Sequence, residues 1–536
     1  LGVGGDDVSQ HHDSSIGRKM IQISQIKIGK LDARNEIFQQ ERENSSVFHN
    51  SFVMPPSINF ENLVNGSSFF IQGPKGSGKT ALLRFLMYIF SEMKYDAQIV
   101  LFKSDLTETE RQKLIQLTDT LVFADQKKIE EAYDYKQNWL WFILRQFAKS
   151  IQEEHVSEGT EFLHDLKKIM NVSGERESIF SGLQLTKIRG ILDVAFKSKG
   201  FKSALKAEIE AISNKKERST EEVVSLCELL VEKIKIRGGR KFALVFDELE
   251  LFLIDHDQKT RDLFLIRDLL YAVLRFNRMV GTKSPNLMVY AAIRSEILVE
   301  INRVGPEIVR DVQDLGVSVE WDTKYTSLNQ PLLEIITKKI QNSEIELLGN
   351  HSEETLKKYF PKRLFGKSAN QFLLDISMFK PRNLVRLLTL AQDKAPNAQR
   401  FEEEILNETA TKFSSGVWLE IEEELSAAFT RDEVKYIKQS LTGYKRRFSI
   451  RDFGARLEHV VGVRTELRNR LCVESQYNLV VEILYRAGAV GNVFFVTENG
   501  RKFPRNRWCF RGYSEPSWKE PFEVHESLLK ALQLAK

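Results

Sequence analysis

Apolar residues fall along this chain in two rhythms. Short continuous runs bounded by polar or turn residues occur at Ser68–Gln72 (SFFIQ), Ala97–Lys103 (AQIVLFK), Lys241–Phe246 (KFALVF), Asn286–Ile293 (NLMVYAAI) and Val317–Trp321. Runs this short, without polar alternation, predict strands buried on both faces, as in a parallel sheet covered by helices. The intervening spacing is helical. A Gly-rich turn and an apolar helix over about Ala81–Met93 follow the first strand, and Gln330–Leu425 reads as helical throughout. Over a hundred residues of mostly helical pattern separate the second strand from the third, too many for a simple crossover. They predict a helical insertion at about 104–238, with Trp139 and Trp141 packing in its core and a Lys/Glu-rich stretch around Lys197–Thr220.

The tail changes character. From Arg431 to Glu515 there are 17 Lys and Arg against 9 Asp and Glu. Its pattern predicts a helix, a short strand (Phe448–Ile450), two helices and two strands. The last two, Asn492–Val496 and Trp508–Arg511, are joined by the polar loop Thr497–Arg507, an order that resembles a winged helix-turn-helix. The expected organisation is a tag-like, disordered stretch at 1–23, a core at 24–328, a helical lid at 329–426 and a winged-helix-like domain at 427–536. No repeat of 20–50 residues is evident.

Composition narrows the function classes. The chain has 536 residues, 42% hydrophobic and 28% charged, and 78 basic against 74 acidic residues give a net charge of +4. That excludes a globally basic coat protein, though not a local basic patch. Cys227, Cys472 and Cys509 form no CxxC or Cys/His cluster, which disfavours a disulfide scaffold or zinc site and points to a reducing, cytoplasmic setting. Leu263–Val280 is broken by Arg267, Asp268, Arg275 and Arg278, so no membrane partner is expected. The first residues lack the apolar core of a signal peptide, and Leu1 in place of Met suggests a processed, tagged or truncated start.

The strongest chemical signal is Gly73-Pro74-Lys75-Gly76-Ser77-Gly78-Lys79-Thr80, followed by Ala81. It fits G-x-x-x-x-G-K-[ST] between a predicted strand and a predicted helix. Glycines let backbone N–H groups turn towards phosphate oxygens, and the helix presents its positive dipole end to the anion. Lys79 would reach the β- and γ-phosphates and the Thr80 hydroxyl would ligate Mg²⁺. Asp247-Glu248 ends a later apolar strand, where a sheet of this kind binds ligands. Asp247 would hold the Mg²⁺ through water, and Glu248 would orient or deprotonate the attacking water. Arg294, closing another strand, is a candidate phosphate sensor, as is Arg382 at the start of the helix opened by Pro381.

On FFIQGPKGSGKTALLRFL, FALVFDELE, YAAIRSE, FKPRNLVRLL, ILYRAGAVGN and VHESLLKAL, the sequence resembles the additional-strand P-loop ATPases of the AAA+/STAND type. Among these it is most similar to bacterial ATPases common in anti-phage defence loci, distantly akin to origin-recognition ATPases. The resemblance covers roughly residues 24–536. It implies a P-loop NTPase sheet with an extra strand between the Lys79 and Asp247 strands, a helical lid and a C-terminal winged helix. It also implies Lys79 and Thr80 as the Walker A pair, Asp247 and Glu248 as the Walker B pair, and Arg294 and Arg382 as sensors. Gly29–Glu36 (GKLDARNE) resembles the opening motif that packs near adenine. ATP or ADP and Mg²⁺ are the expected ligands. Arg303 and Arg310 are arginine-finger candidates by position.

The basic tail admits two readings. Arg501, Lys502, Arg505 and Arg507 in the expected wing, with Lys445, Arg446, Arg447 and Arg451 as a second edge, make duplex DNA one partner. The would-be recognition helix, Glu474–Arg486, is mostly apolar, which favours protein docking instead. His525 reads as structural. The expected function is a Mg²⁺-dependent ATPase switch in anti-phage defence, coupled to DNA or to a partner effector and operating as a homo-oligomer or with that effector. The alternatives are a non-hydrolysing, nucleotide-gated DNA-binding or assembly scaffold and, with less in its favour, a nucleotide kinase.

Overall fold

The computed structural model describes residues 20–43, 46–105, 135–170, 172, 202, 204–205, 220–250, 256–281, 286–322, 330–498, 501–513 and 515–535. The tag-like residues 1–19 and most of the stretch 197–220 lie outside the described residues. Five strands build one sheet: β1 (Phe70–Gly73), β2 (Asp96–Leu101), β3 (Phe242–Leu249), β4 (Leu287–Arg294) and β5 (Gly316–Ser318). Their order is β2-β3-β4-β1-β5, all neighbours parallel. β4 therefore stands between the strand that feeds the glycine-rich loop and the strand that ends in Asp247-Glu248, as the family resemblance implies.

The two inner strands carry the most continuous apolar runs. β4 is buried up to Ile293, and in β3 only Glu248 is partly exposed. Because the strands are parallel, their C-terminal ends gather at one edge. Gly73 pairs in register with Arg294, and Leu101 with Asp247. The β3–β4 register shifts between Phe246 and Leu249, and Glu248 takes a left-handed φ of 58°. A non-glycine residue in that conformation is costly, and such sites cluster where a side chain must be re-aimed.

The helices between β2 and β3 belong to the same core as the sheet. Lys136–Ser150 buries nearly all of its circumference, and the Trp139 ring meets Phe246 of β3 edge-on with centroids 5.9 Å apart. Its indole N–H donates to the Leu265 carbonyl at 2.9 Å. Trp139 and Trp141 are thus core residues, and this helix covers a sheet face.

A second core joins residues 21–28, the helices from Pro331 onward and the tail. Gln392 donates to the carbonyls of Ile23 and Ile26, at 2.5 and 2.7 Å, which ties the N-terminal segment to the lid helices. Three helices matter for the site: α1 (Ala33–Arg42), α2 (Lys79–Glu92, after the glycine-rich loop) and α3 (Pro381–Lys394). A fourth, α4 (Glu403–Ser426), runs from the lid towards the tail. Helix α5 (Glu474–Arg486) buries Val480, Val481, Leu484 and Tyr485.

The tail differs from the expected pattern in its last strands. Thr497–Arg507 is not a loop: β6 (Val490–Glu498) pairs with β7 (Arg501–Arg507) as an antiparallel hairpin, Val496 facing Phe503 and Asn492 facing Arg507. Cys509–Arg511 is a 3₁₀ turn rather than a strand, and the sheet is completed by Phe522–Val524 and Arg447–Phe448. A strand as polar as RKFPRNR, without alternation, mimics a loop in sequence. The pair Asn499-Gly500 between the runs is nonetheless a strong hairpin signal. His525 is buried beside Trp508 and Phe510, and its Nδ1 accepts the Ser527 amide at 3.2 Å. Burial and nearby Lys367 push its pKa down to about 3, so it is a neutral capping residue, matching its structural reading.

Candidate active site

A cavity of about 610 Å³ opens where β1, β3 and β4 end, between the sheet and the lid helices. The chain reaches the start of α2 through Gly76 (φ 77°) and Gly78 (φ 102°), left-handed turns that side chains resist. A Cβ on Gly76 would lie 3.3 Å from Glu420 Oε2 and 3.4 Å from Arg382 Cβ, so lid side chains crowd this glycine. Lys79 Nζ donates to the carbonyls of Gly73 and Pro74, at 2.8 and 3.0 Å. Burial pushes its pKa down to about 8, with Arg294 adding to the shift and Glu296 opposing it. Lys75 is likewise lowered to about 8 by burial and Arg294, and it pairs with Glu423 of α4.

Among the buried polar atoms here without a hydrogen-bond partner are Ser77 Oγ and Asp247 Oδ2. Unsatisfied buried oxygens need an explanation, and a bound ion or ligand is one. Asp247 Oδ1 accepts the Glu248 amide at 2.8 Å, and its carboxylate accepts the Thr80 hydroxyl. Burial nevertheless raises the Asp247 pKa, which a cation would reverse. This donor set, one hydroxyl and one hard carboxylate oxygen beside a loop of backbone N–H groups, fits Mg²⁺ with a phosphate chain.

Glu248 is already engaged. Its Oε2 accepts the Ser104 hydroxyl at 2.6 Å and the Ser104 amide at 3.1 Å, while Oε1 pairs with Arg34 at the start of α1. Arg34 is also held by Asp32, 2.9 Å away. Arg294 lines the cavity and pairs with Glu250, which binds Lys103 at 3.0 Å; Glu296 stands 3.6 Å off. Arg382 lines it too, donating from Nε to the Leu31 carbonyl at 3.0 Å. Trp321, just past β5, donates its indole N–H to the Ser77 carbonyl at 2.7 Å. The far wall includes the apolar residues Phe52, Val53, Pro55, Ile335 and Val385.

The fold thus brings together Lys75, Gly76, Gly78, Lys79, Thr80, Ala81, Asp247, Glu248, Arg294 and Arg382, with Gly73, Pro74 and Ser77 just behind the wall. Arg303 and Arg310 do not line the cavity; Arg303 pairs with Glu300 at 3.0 Å. Sequence reading placed GKLDARNE near the nucleotide without singling out Arg34, and it missed Ser104, Glu250, Trp321 and Glu423. Glu250 could have been suspected two residues after Glu248 in DELE, but no local pattern marks Ser104, Trp321 or Glu423.

The expected basic surfaces divide. Arg501 and Lys502 pair through their backbones with Glu498 and Thr497, and Arg505 and Arg507 are exposed on β7. Arg446 and Arg447 pair with the buried carboxylate of Glu523, at 3.0 and 3.3 Å, and Arg447 stays exposed alongside Lys445 and Arg451.

The family described as the FunZ-associated C-terminal helical domain matches residues 330–422, the span of the lid helices. No curated protein matches the chain. Among solved structures, the chain is similar to the RuvB Holliday junction branch migration motor of Thermotoga maritima. Identity is 13%, coverage 88% of this chain and 88% of that one, and the TM-score 0.29. No helix among the described residues is long and apolar enough to cross a membrane.

Proposed function

We propose that this chain binds ATP with Mg²⁺ and hydrolyses it, using the cycle as a conformational switch. The observation that carries this reading is the unpartnered buried oxygen Asp247 Oδ2 beside a glycine-rich loop whose Lys79 and Thr80 line the cavity. The loop N–H groups, Lys75 and Lys79 would take the phosphates. Thr80 and Asp247 would hold Mg²⁺, which supplies charge neutralisation at the phosphate oxygens. The apolar wall around Phe52, Val53 and Ile335 would take the base; adenine over guanine rests on the sequence resemblance. Glu248 would accept a proton from the attacking water. To do so its carboxylate must leave Arg34 and Ser104, so α1 acts as a catch on the general base.

The lid supplies the switch. Glu420 and Glu423 of α4 and Arg382 of α3 touch the loop region, and α4 continues to the tail, where Lys380 bridges Glu424 and the Ala487 carbonyl. Phosphate competing with Glu423 for Lys75 would move α4 and, with it, the C-terminal domain. We read that domain as a winged helix and as the output end, contacting nucleic acid or a partner effector, with anti-phage defence as the setting that the sequence motifs imply. A second reading, binding without turnover, draws on the capture of Glu248 by Arg34. Titration with a fluorescent ATP analogue, with and without Mg²⁺, tests the proposal. Mg²⁺-enhanced binding that Lys79→Ala removes supports it, and binding indifferent to both would overturn it.

A further inference from the structure

The C-terminal hairpin carries an unusual surface. Among the described residues, the exposed aromatic side chains are Phe38, Phe495, Phe503, Tyr513 and Trp518, four of the five within one stretch of the tail. Phe495 is 57% exposed and Phe503 42%. Exposed apolar residues grouped in one region mark interaction sites more often than residues scattered singly. The register fixes the geometry. Phe503 lies opposite Val496, and Phe494 opposite Arg505, on one face; Phe495 lies opposite Pro504 on the other. The blade-like hairpin therefore shows an aromatic ring on each side near its free end. Among the described residues it also forms the edge of its sheet, β7 pairing with β6 alone.

Charge selects the occupant. Between Val490 and Glu520 there are six Lys and Arg against three Asp and Glu. Arg507 lies over the rings of Phe494 and Tyr513, at 4.8 and 5.5 Å, presenting a flat cation beside the aromatic surface. Aromatic platforms interleaved with guanidinium groups suit unpaired bases on a phosphate backbone, because every base offers a π-face and every linkage a negative charge. A duplex hides those faces. The element that would read a duplex groove, α5, turns Val480, Val481 and Leu484 into the core, and its Arg486 is paired with Glu482 at 2.5 Å.

We infer that the β6–β7 hairpin binds single-stranded nucleic acid by stacking bases on Phe495 and Phe503. This deepens the output half of the proposed function and rests on that reading only for its link to ATP. The test uses the full chain without nucleotide and fluorescence anisotropy with labelled 20-mers: single-stranded DNA, single-stranded RNA of the same sequence and the matching duplex. Single strands should bind more tightly than the duplex, and the DNA and RNA arms identify which source is preferred. Phe495→Ala and Phe503→Ala should each weaken single-strand binding by roughly 5- to 100-fold, and Phe503→Trp should retain it. Arg505→Glu should weaken it and flatten its salt dependence. Melting temperature and ATP-analogue binding of each variant report whether the fold survives. Duplex binding as tight as single-strand binding and indifferent to both phenylalanine substitutions would overturn the inference. So would an absence of nucleic-acid binding by a chain that still binds nucleotide. Loss of the ATPase reading alone would leave these titrations unchanged.

Discussion

Charges around the glycine-rich loop and charges along the C-terminal hairpin are handled in opposite ways. In the cavity, nearly every cation faces an anion from a distant part of the chain: Lys75 with Glu423, Arg34 with Glu248, Arg294 with Glu250 and Lys339 with Glu36. On the hairpin, Arg507 leans on aromatic rings and the phenylalanines face water. Removing one partner of a buried pair leaves an uncompensated charge, so the cavity resists piecemeal change. Exposed rings and guanidinium groups can be exchanged with little effect on folding. On the proposed function, the cavity is held ready for one polyanionic ligand, while the hairpin surface tolerates exchange.

The largest expected effects fall on the cavity. Lys79→Ala and Asp247→Asn should each lower Mg²⁺-dependent phosphate release by about 100-fold or more, as when a preorganised transition-state contact is lost. The same assay on Phe503→Ala should show no change without nucleic acid. An equal loss would erase the distinction between the two regions.

Trp321→Ala should come next, costing about 3–5 kcal/mol of stability through a large buried cavity and the freed Ser77 carbonyl. Thermal unfolding would measure it. Phe in its place should recover most of the stability, and ATP affinity should remain weakened because the loop loses its tether.

A pH series sharpens the contrast further. Lys75 and Lys79 titrate near 8, where an ordinary lysine stays charged beyond 10. ATP affinity should therefore fall as pH rises through 8, by up to about tenfold per unit for each lysine. Their contribution to stability runs the other way. The unfolded chain binds more protons than the folded one between about pH 8 and 10.5, so these two groups stabilise the fold as pH rises across that window. Parallel loss of affinity and stability would contradict the assignment. The smallest effect is expected for Glu423→Gln, which frees Lys75 of a half-exposed partner. Nucleotide affinity should rise by no more than about fivefold, the scale of such pairs, by the same titration.

The cavity was legible where chemistry dictates local residue types. A backbone meant to wrap phosphate would need glycines such as Gly76 and Gly78, and a strand end meant to hold a metal would need an acid such as Asp247, so each proposed role leaves a mark within a few residues. The Arg34–Glu248 contact leaves none, because it joins positions more than two hundred residues apart without periodicity. The helices after Pro331 were visible as a helical pattern, but the assembly of residues 21–28 with them depends on which carbonyls Gln392 finds. In the tail, Thr497–Arg507 resembled a loop because polar residues occupy both faces of an edge strand exposed over Phe503–Arg507, with no alternation to mark it. Asn499-Gly500 was the local clue, and the exposure of Phe495 and Phe503 became apparent only once the register was known.

The most direct test of the central claim is phosphate release from ATP with Mg²⁺ by the wild-type chain and by Glu248→Gln, with ATP binding measured in parallel. The account expects turnover by the wild type, a loss of about 10²- to 10⁴-fold in the variant, and retained ATP binding in both. Turnover that survives Glu248→Gln, or a wild type that binds ATP without ever releasing phosphate, would contradict it.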